Sequence, residues 1–295
     1  MSNVVVCGVD LFAGFSRAVA LAAHLSEELD CEIALVHVDG EERMFTSIAR
    51  ARQLRDLREV VNVYDLPSTT RVRIREGDPA TELMEAVRDF DAELLVVGSR
   101  GRLELGSALL GSVSRTLMTS APCPVVVVPP DALLPKRLTT RSIVCGVEGG
   151  GRDRAILRFA ADLRRRLRSS LHAVHGFDPR PGPVGPVPVM PPVIPELSEM
   201  AQARLAAALA AAQVNVEQRT VLALPPAVAI ERIAGEDSAS LVVVGCQGKG
   251  PLASVLNGSV SMQLAAAGRC PVVVLPPSAE LAPGTGHYEL MAGAA

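Results

Sequence analysis

Two glycine motifs with identical internal spacing constrain this chain more than any other feature. Gly98-Ser99-Arg100-Gly101 is followed, after nine residues, by Gly111-Ser112. Gly245-Cys246-Gln247-Gly248 is followed by Gly258-Ser259 at the same remove, 147 positions further on. The first motif comes directly after the apolar run Leu94-Leu95-Val96-Val97. A short apolar run that ends in glycine reads as a buried strand entering a loop, where the backbone approaches something closely or takes positive φ. Beyond Gly111, the stretch from Ser112 to Met118 reads as helix. Strand, glycine loop and helix N-terminus together make an anion site, because first-turn amides have no intrahelical partner. One such spacing is weak support for that reading; its return in the same chain is much stronger.

A chain of 295 residues has room for two ordinary domains, each with its own core. Hydrophobic residues make up 48% and charged residues 21%, which argues against global disorder. The 29 Lys and Arg against 32 Asp and Glu leave a net charge of -3, so nothing draws the chain to nucleic acid or acidic lipid. Aromatic residues are 3%, with no Trp, too few to build a stacking surface for bases or sugars. The longest apolar runs are strand-sized and the start lacks a basic leader, so a cytoplasmic protein with no membrane partner is expected.

Taken in order, the chain alternates strand and helix twice. Val4 to Asp10 is an apolar strand ending in a carboxylate, and Ser16 stands as cap to a helix from about Arg17 to Leu29. Cys31 to Val38 is the second strand and about Glu41 to Val60 a charged amphipathic helix. Arg71 to Arg75 alternates with period two, the pattern of an edge strand. Gly77-Asp78-Pro79 is a turn, with Asp78 as N-cap and Pro79 at the first helical position of a helix to Phe90. A further helix is expected from about Ala108 to before Pro122, and Pro124 to Val128 is the fifth strand. The second half repeats the order: Ser142 to Glu148 and Leu171 to His175 match the first two strands at a displacement of 138. Proline-rich Pro179 to Pro195 is read as an irregular surface loop, helix resumes near Glu196 and runs to Ala212, Val214 to Val221 is a strand, and Pro225-Pro226 starts the next helix. The expected division is residues 1–129, a connection at 130–140, residues 141–277, and a mobile tail at 278–295. Continuous apolar strands of this kind are covered on both faces, so the class is parallel α/β.

In such sheets, sites form beyond the carboxyl ends of the strands. Asp10, Val38 and Gly98 end three different strands and can converge there. His37 and His175 recur at equivalent strand positions, which favours a packing role over catalysis. Cys7, Cys123, Cys145 and Cys270 sit in or beside strand-like runs and read as free buried thiols, with no C-x-x-C or H-E-x-x-H pattern for a metal. Arg164-Arg165-Arg166 reads as a solvated helix face. Neither glycine motif has Walker spacing or a lysine in that role. Arg100, Arg102 or Lys249 could neutralise phosphate, and Asp10 could orient a water or Mg²⁺.

These paired motifs resemble those of the universal stress protein family. Both match its G-x-x-G-x(9)-G-S/T pattern, with support from Val4–Asp10, Leu35–Val38, Gly77-Asp78-Pro79-Ala80 and Pro122–Val128. The resemblance implies two Rossmann-like open parallel sheets, each of five strands ordered 3-2-1-4-5 and flanked by helices. It further implies that the two halves pair through their final strands, with room for a homodimer. It implies ATP or another adenine nucleotide as ligand, serving stress response or signalling through assembly or partner contact. Asp10 would meet the ribose or adenine end, the Val38 backbone the adenine, and Gly98, Arg100, Gly101, Gly111 and Ser112 the phosphates. The second-half counterparts are Glu148, Gly176, Gly245, Gly248, Gly258 and Ser259. Glu148 stands for the aspartate and Gly176 for Val38, so that half departs from the pattern. A nucleotide-free interaction protein and a slow ATPase are the alternative readings, and efficient catalysis is not expected.

Overall fold

The computed structural model describes residues 3–11, 16–40, 47–99, 110–139, 141–179, 193–246 and 260–279. In the first half the elements are β1 (Val4–Gly8), α1 (Arg17–Glu28), β2 (Glu32–Asp39), α2 (Ser47–Val63), β3 (Arg71–Glu76), α3 (Pro79–Asp89), β4 (Ala92–Gly98), α4 (Ser112–Ser120) and β5 (Val125–Val128). In the second they are β6 (Ser142–Gly146), α5 (Asp153–Arg166), β7 (Ser170–Gly176), α6 (Val193–Ala212), β8 (Gln218–Leu222), α7 (Pro226–Glu236), β9 (Leu241–Gly245), α8 (Val260–Ala267) and β10 (Val272–Leu275).

All ten strands lie in one sheet, ordered β3-β2-β1-β4-β5-β10-β9-β6-β7-β8. Each half contributes five parallel strands in the expected 3-2-1-4-5 order, and the halves join edge to edge through antiparallel β5 and β10. Val126 faces Val273 at the middle of that junction. Pairing there removes two apolar edges that would otherwise template association with another chain. The strand period of two sends alternate residues to opposite layers. Val5, Cys7, Val126 and Val273 join the layer under α1, α2, α5 and α6, while Val4, Val6, Val127 and Val272 join the layer under α3, α4, α7 and α8. Both layers run through both halves.

Local chemistry sets the element ends. The Asp78 carboxylate accepts from the Thr81 amide at 2.9 Å and its hydroxyl at 2.8 Å, which holds its pKa below the ordinary 3.8. Gly77 takes φ +133°, a value side-chain-bearing residues rarely adopt. β3 is the sheet edge, as its alternation indicated, and the Arg71 and Arg73 guanidinium groups lie over the Phe90 ring.

Several expectations need correction. Ser16 is the N-cap of α1, but its side chain makes no capping bond; its carbonyl accepts from Val19 and Ala20 instead. Within the described residues α2 begins at Ser47 and reaches Val63. α4 starts at Ser112, later than expected, because the extended backbone at Gly111 precedes it. α6 starts at Val193, so Pro195 lies in its first turn, where a missing N–H forfeits no helical bond. The strand expected from Val214 begins only at Gln218, since Val214 closes α6 by donating to Leu209, and Val214 and Val216 pack on the core without pairing. Residues 180–192 of the expected proline-rich loop, and residues 280–295 of the tail, lie outside the described residues.

Arg166 is the clearest departure from the solvated-face reading. It pairs with Glu93 at the start of β4 and donates to the Leu29 carbonyl, with side-chain exposures of 22% and 25% for the pair. The end of α5 is thereby fastened to the other half. The connection after β5 is fixed along α1: Arg17 donates to the Ala132 carbonyl, and the Glu28 carboxylate accepts from the Leu138 and Thr139 amides at 2.8 and 2.6 Å.

Candidate functional site

The first-half candidates gather at the carboxyl ends of three adjacent strands. β1 lies between β2 and β4, with Gly8 beside Val36 and Cys7 beside Val96. Continued by two residues, that register sets Asp10 level with Val38 on one side and just beyond Gly98 on the other. The chain leaves β1 toward β2 and later returns on the other side to β4, so Asp10 stands at the topological switch point, where α/β sheets open a crevice. Asp10 and Val38 are half-buried. The peptide before Asp10 is fixed from β2: the His37 Nδ1 lies 2.9 Å from the Val9 carbonyl, and a carbonyl can only accept, so Nδ1 carries the proton. His175 makes the same bond to Val147 at 2.7 Å. Both histidines therefore have a structural partner.

Beyond β4 the backbone folds back on itself. The Ser99 amide donates to Val128, the Gly111 amide donates to the Ser99 carbonyl at 2.8 Å, and Ser114 Oγ donates to the Gly98 carbonyl at 2.7 Å. This brings the start of α4 against the tip of β4. Gly111 is the N-cap and supplies no side-chain bond, so the first-turn amides of α4 have no capping oxygen. Ser112 is exposed at the first helical position. Ser99 Oγ is buried and has no hydrogen-bond partner. An uncapped helix start beside an orphaned buried hydroxyl fits a multiply charged oxygen-rich group. Sequence reasoning named the glycines and passed over Ser99, whose burial only the fold reveals. Arg100, Gly101 and Arg102 lie outside the described residues, as do Gly248, Lys249, Gly258 and Ser259.

The second half carries the same strand ends with different contents. Glu148 is exposed and Gly176 buried. The Asp153 carboxylate accepts from the amides of Glu148 (3.3 Å), Gly149 (2.6 Å) and Gly150 (2.9 Å). Arg152 donates to the carbonyls of Cys246, Leu275 (3.3 Å) and Pro276 (2.8 Å), across the ends of β9 and β10. Neither residue was a sequence candidate. An acidic residue after a glycine run, just ahead of a helical pattern, was the available signal.

All six cysteines are free. Burial pushes the Cys7, Cys123 and Cys270 thiols up to about 12 and Cys31 to about 11, and raises Cys145 and Cys246, so none is a ready thiolate. Among the described residues no group of three or more His, Cys, Asp or Glu is placed to hold a metal ion, and no helix is long and apolar enough to cross a membrane. A surface hollow of about 390 Å³ lined by Leu209, Val214, Glu217 and Arg219 lies at the amino end of β8, away from the strand ends described above.

With this geometry in place, comparison with known proteins is informative. The sequence model of the Universal stress protein family matches residues 1–129 and again 139–276. A universal stress protein of Mycolicibacterium smegmatis is 34% identical over 216 residues, covering 71% of this chain and 69% of that protein. One from Mycobacterium tuberculosis is 33% identical over 189 residues, and the match spans only 62% of each chain. Among solved structures, a functionally unknown Pseudomonas aeruginosa protein superposes with a TM-score of 0.63 at 19% identity, covering 94% of this chain and 93% of its own. A universal stress protein from Archaeoglobus fulgidus gives 0.62 at 19% identity, covering 93% and 98%. At that identity the structures speak for the fold alone.

Proposed function

Because this chain belongs to the universal stress protein family, we propose that it binds an adenine nucleotide, ATP foremost, in the crevice beyond β2, β1 and β4. The observation that carries this reading is that Asp10, Val38 and Gly98 stand at the carboxyl ends of three adjacent strands, with the uncapped start of α4 held at the tip of β4 and a buried hydroxyl left unpartnered there. Each residue has a role its chemistry suits. The Val38 backbone offers one donor and one acceptor to the adenine edge, and the Asp10 carboxylate accepts from ribose hydroxyls. Gly98, Gly101 and Gly111 let backbone come close to phosphate, Ser112 and Ser99 add hydroxyls, and Arg100 adds charge. Mg²⁺ would arrive with the nucleotide. The proposal covers binding rather than turnover, since no lysine stands in a Walker position. Ligand-dependent assembly or partner contact, in stress response or signalling, is the role proposed for that binding.

Two measurements test this. Protein purified without added nucleotide is extracted and the released small molecules identified, and ATP is titrated directly. Gly101→Val should lose at least about tenfold in affinity while keeping the native circular dichroism spectrum. Unchanged affinity in the folded variant would reject the site.

A further inference from the structure

The second half shares the glycine spacing of the first but differs from it at three places around the proposed nucleotide crevice. At the adenine end, Gly176 replaces Val38, and a Cβ there would lie 2.8 Å from the Pro226 Cα and 3.1 Å from the Leu224 carbonyl oxygen. The backbone leading into α7 thus presses on the end of β7. At the ribose end, the loop after β6 turns its amides inward onto Asp153, which is 3% exposed. At the phosphate end, a Cβ on Gly245 would meet Ile156 Cδ1 at 2.5 Å, whereas the residue equivalent to Ile156 in the first half is Ala18. Arg152 bridges the last carbonyls of β9 and β10 over the same end of the sheet. α5 also begins two residues earlier than its counterpart α1, relative to their matching C-caps at Leu29 and Leu167, and this brings Arg152 and Asp153 into place.

We propose that the second half is closed by its own side chains, with Asp153 serving as a built-in anion and Arg152 and Ile156 filling the mouth of the crevice. Each chain then holds one nucleotide, in the first half, and the second half acts as a fixed partner. This rests on the adenine-nucleotide reading of the first half.

Calorimetric titration of the full chain with MgATP tests it by counting. The expected result is about one ATP per chain, lost in Gly101→Val. Two ATP per chain, or a full-strength site surviving in Gly101→Val, would overturn the closed second half while leaving nucleotide binding intact. If no ATP binds at all, the nucleotide reading falls, and the closure is judged without ligand by amide exchange. The Gly149 and Gly150 amides should then exchange about tenfold slower than in Asp153→Ala, or than in Asp153→Asn should the alanine variant not fold. Equal exchange in wild type and variant would overturn it.

Discussion

At the tip of β4 the Ser99 carbonyl takes the Gly111 amide; at the tip of β9 the corresponding Cys246 carbonyl takes the Arg152 guanidinium. The strands on either side of these positions are nearly interchangeable, with the same order, the same apolar alternation and the same histidine bonded to the same carbonyl. The difference that bears on the site lies at and just beyond the strand ends and in the helix start that faces them. Sheet interiors need only apolar residues of suitable volume, so a duplicated half can keep them unaltered. Loop ends carry the specific polar contacts, and a few residues decide whether backbone amides face outward to a ligand or inward to a side chain.

Five substitutions sharpen or break this contrast. Gly176→Val, which installs the first-half residue, should cost about 3 kcal/mol in urea denaturation, because backbone rather than a flexible side chain opposes the new Cβ. The reciprocal Val38→Gly should cost only about 1–2 kcal/mol, and equal losses would mean the two ends are packed alike. Asp153→Ala should cost about 2–3 kcal/mol by leaving inward amides without their charged acceptor. Ser16→Ala, at the start of the matching helix, should fall within about 0.5 kcal/mol because that side chain makes no cap. Arg166→Met should cost about 1–2 kcal/mol, a modest figure because the pair with Glu93 is partly screened by solvent. If it also splits unfolding into two transitions, this fastening is what couples the halves.

A further effect depends on pH and marks one half only. The folded pKa of Asp78 lies below its ordinary 3.8 because it caps Thr81, so its contribution is fully present above about pH 4 and is lost as pH falls through the lowered value. Asp78→Ala should therefore cost about 1 kcal/mol at pH 7, less for an exposed cap, and nothing near pH 2. The second-half helix α7 has Pro225 as its N-cap, with no side-chain cap, and should show no such dependence.

Much of the fold was readable because it is written in local terms. The apolar runs, the 138-residue displacement and the Asp78-Pro79 start each specify an element without reference to distant residues. Strand order followed from family resemblance, and the antiparallel junction fits two valine-rich edges that have no other cover. What could not be read locally is long-range. Nothing in the sequence near Arg152 says that it reaches Cys246 and Pro276, and nothing near Arg166 points to Glu93. Ser99 stood inside a named motif, yet only the turn that brings Gly111 against it shows that its hydroxyl is buried. The comparison of Ala18 with Ile156 was available from the displacement alone.

Hydrogen exchange of the full chain, with and without saturating MgATP, tests the central claim most directly. Slowed exchange should appear in peptides covering the end of β1, the end of β2 and the start of α4, with residues 146–152 and 243–246 unchanged. Equal protection in both halves, or none around Asp10 and Gly111, would contradict it.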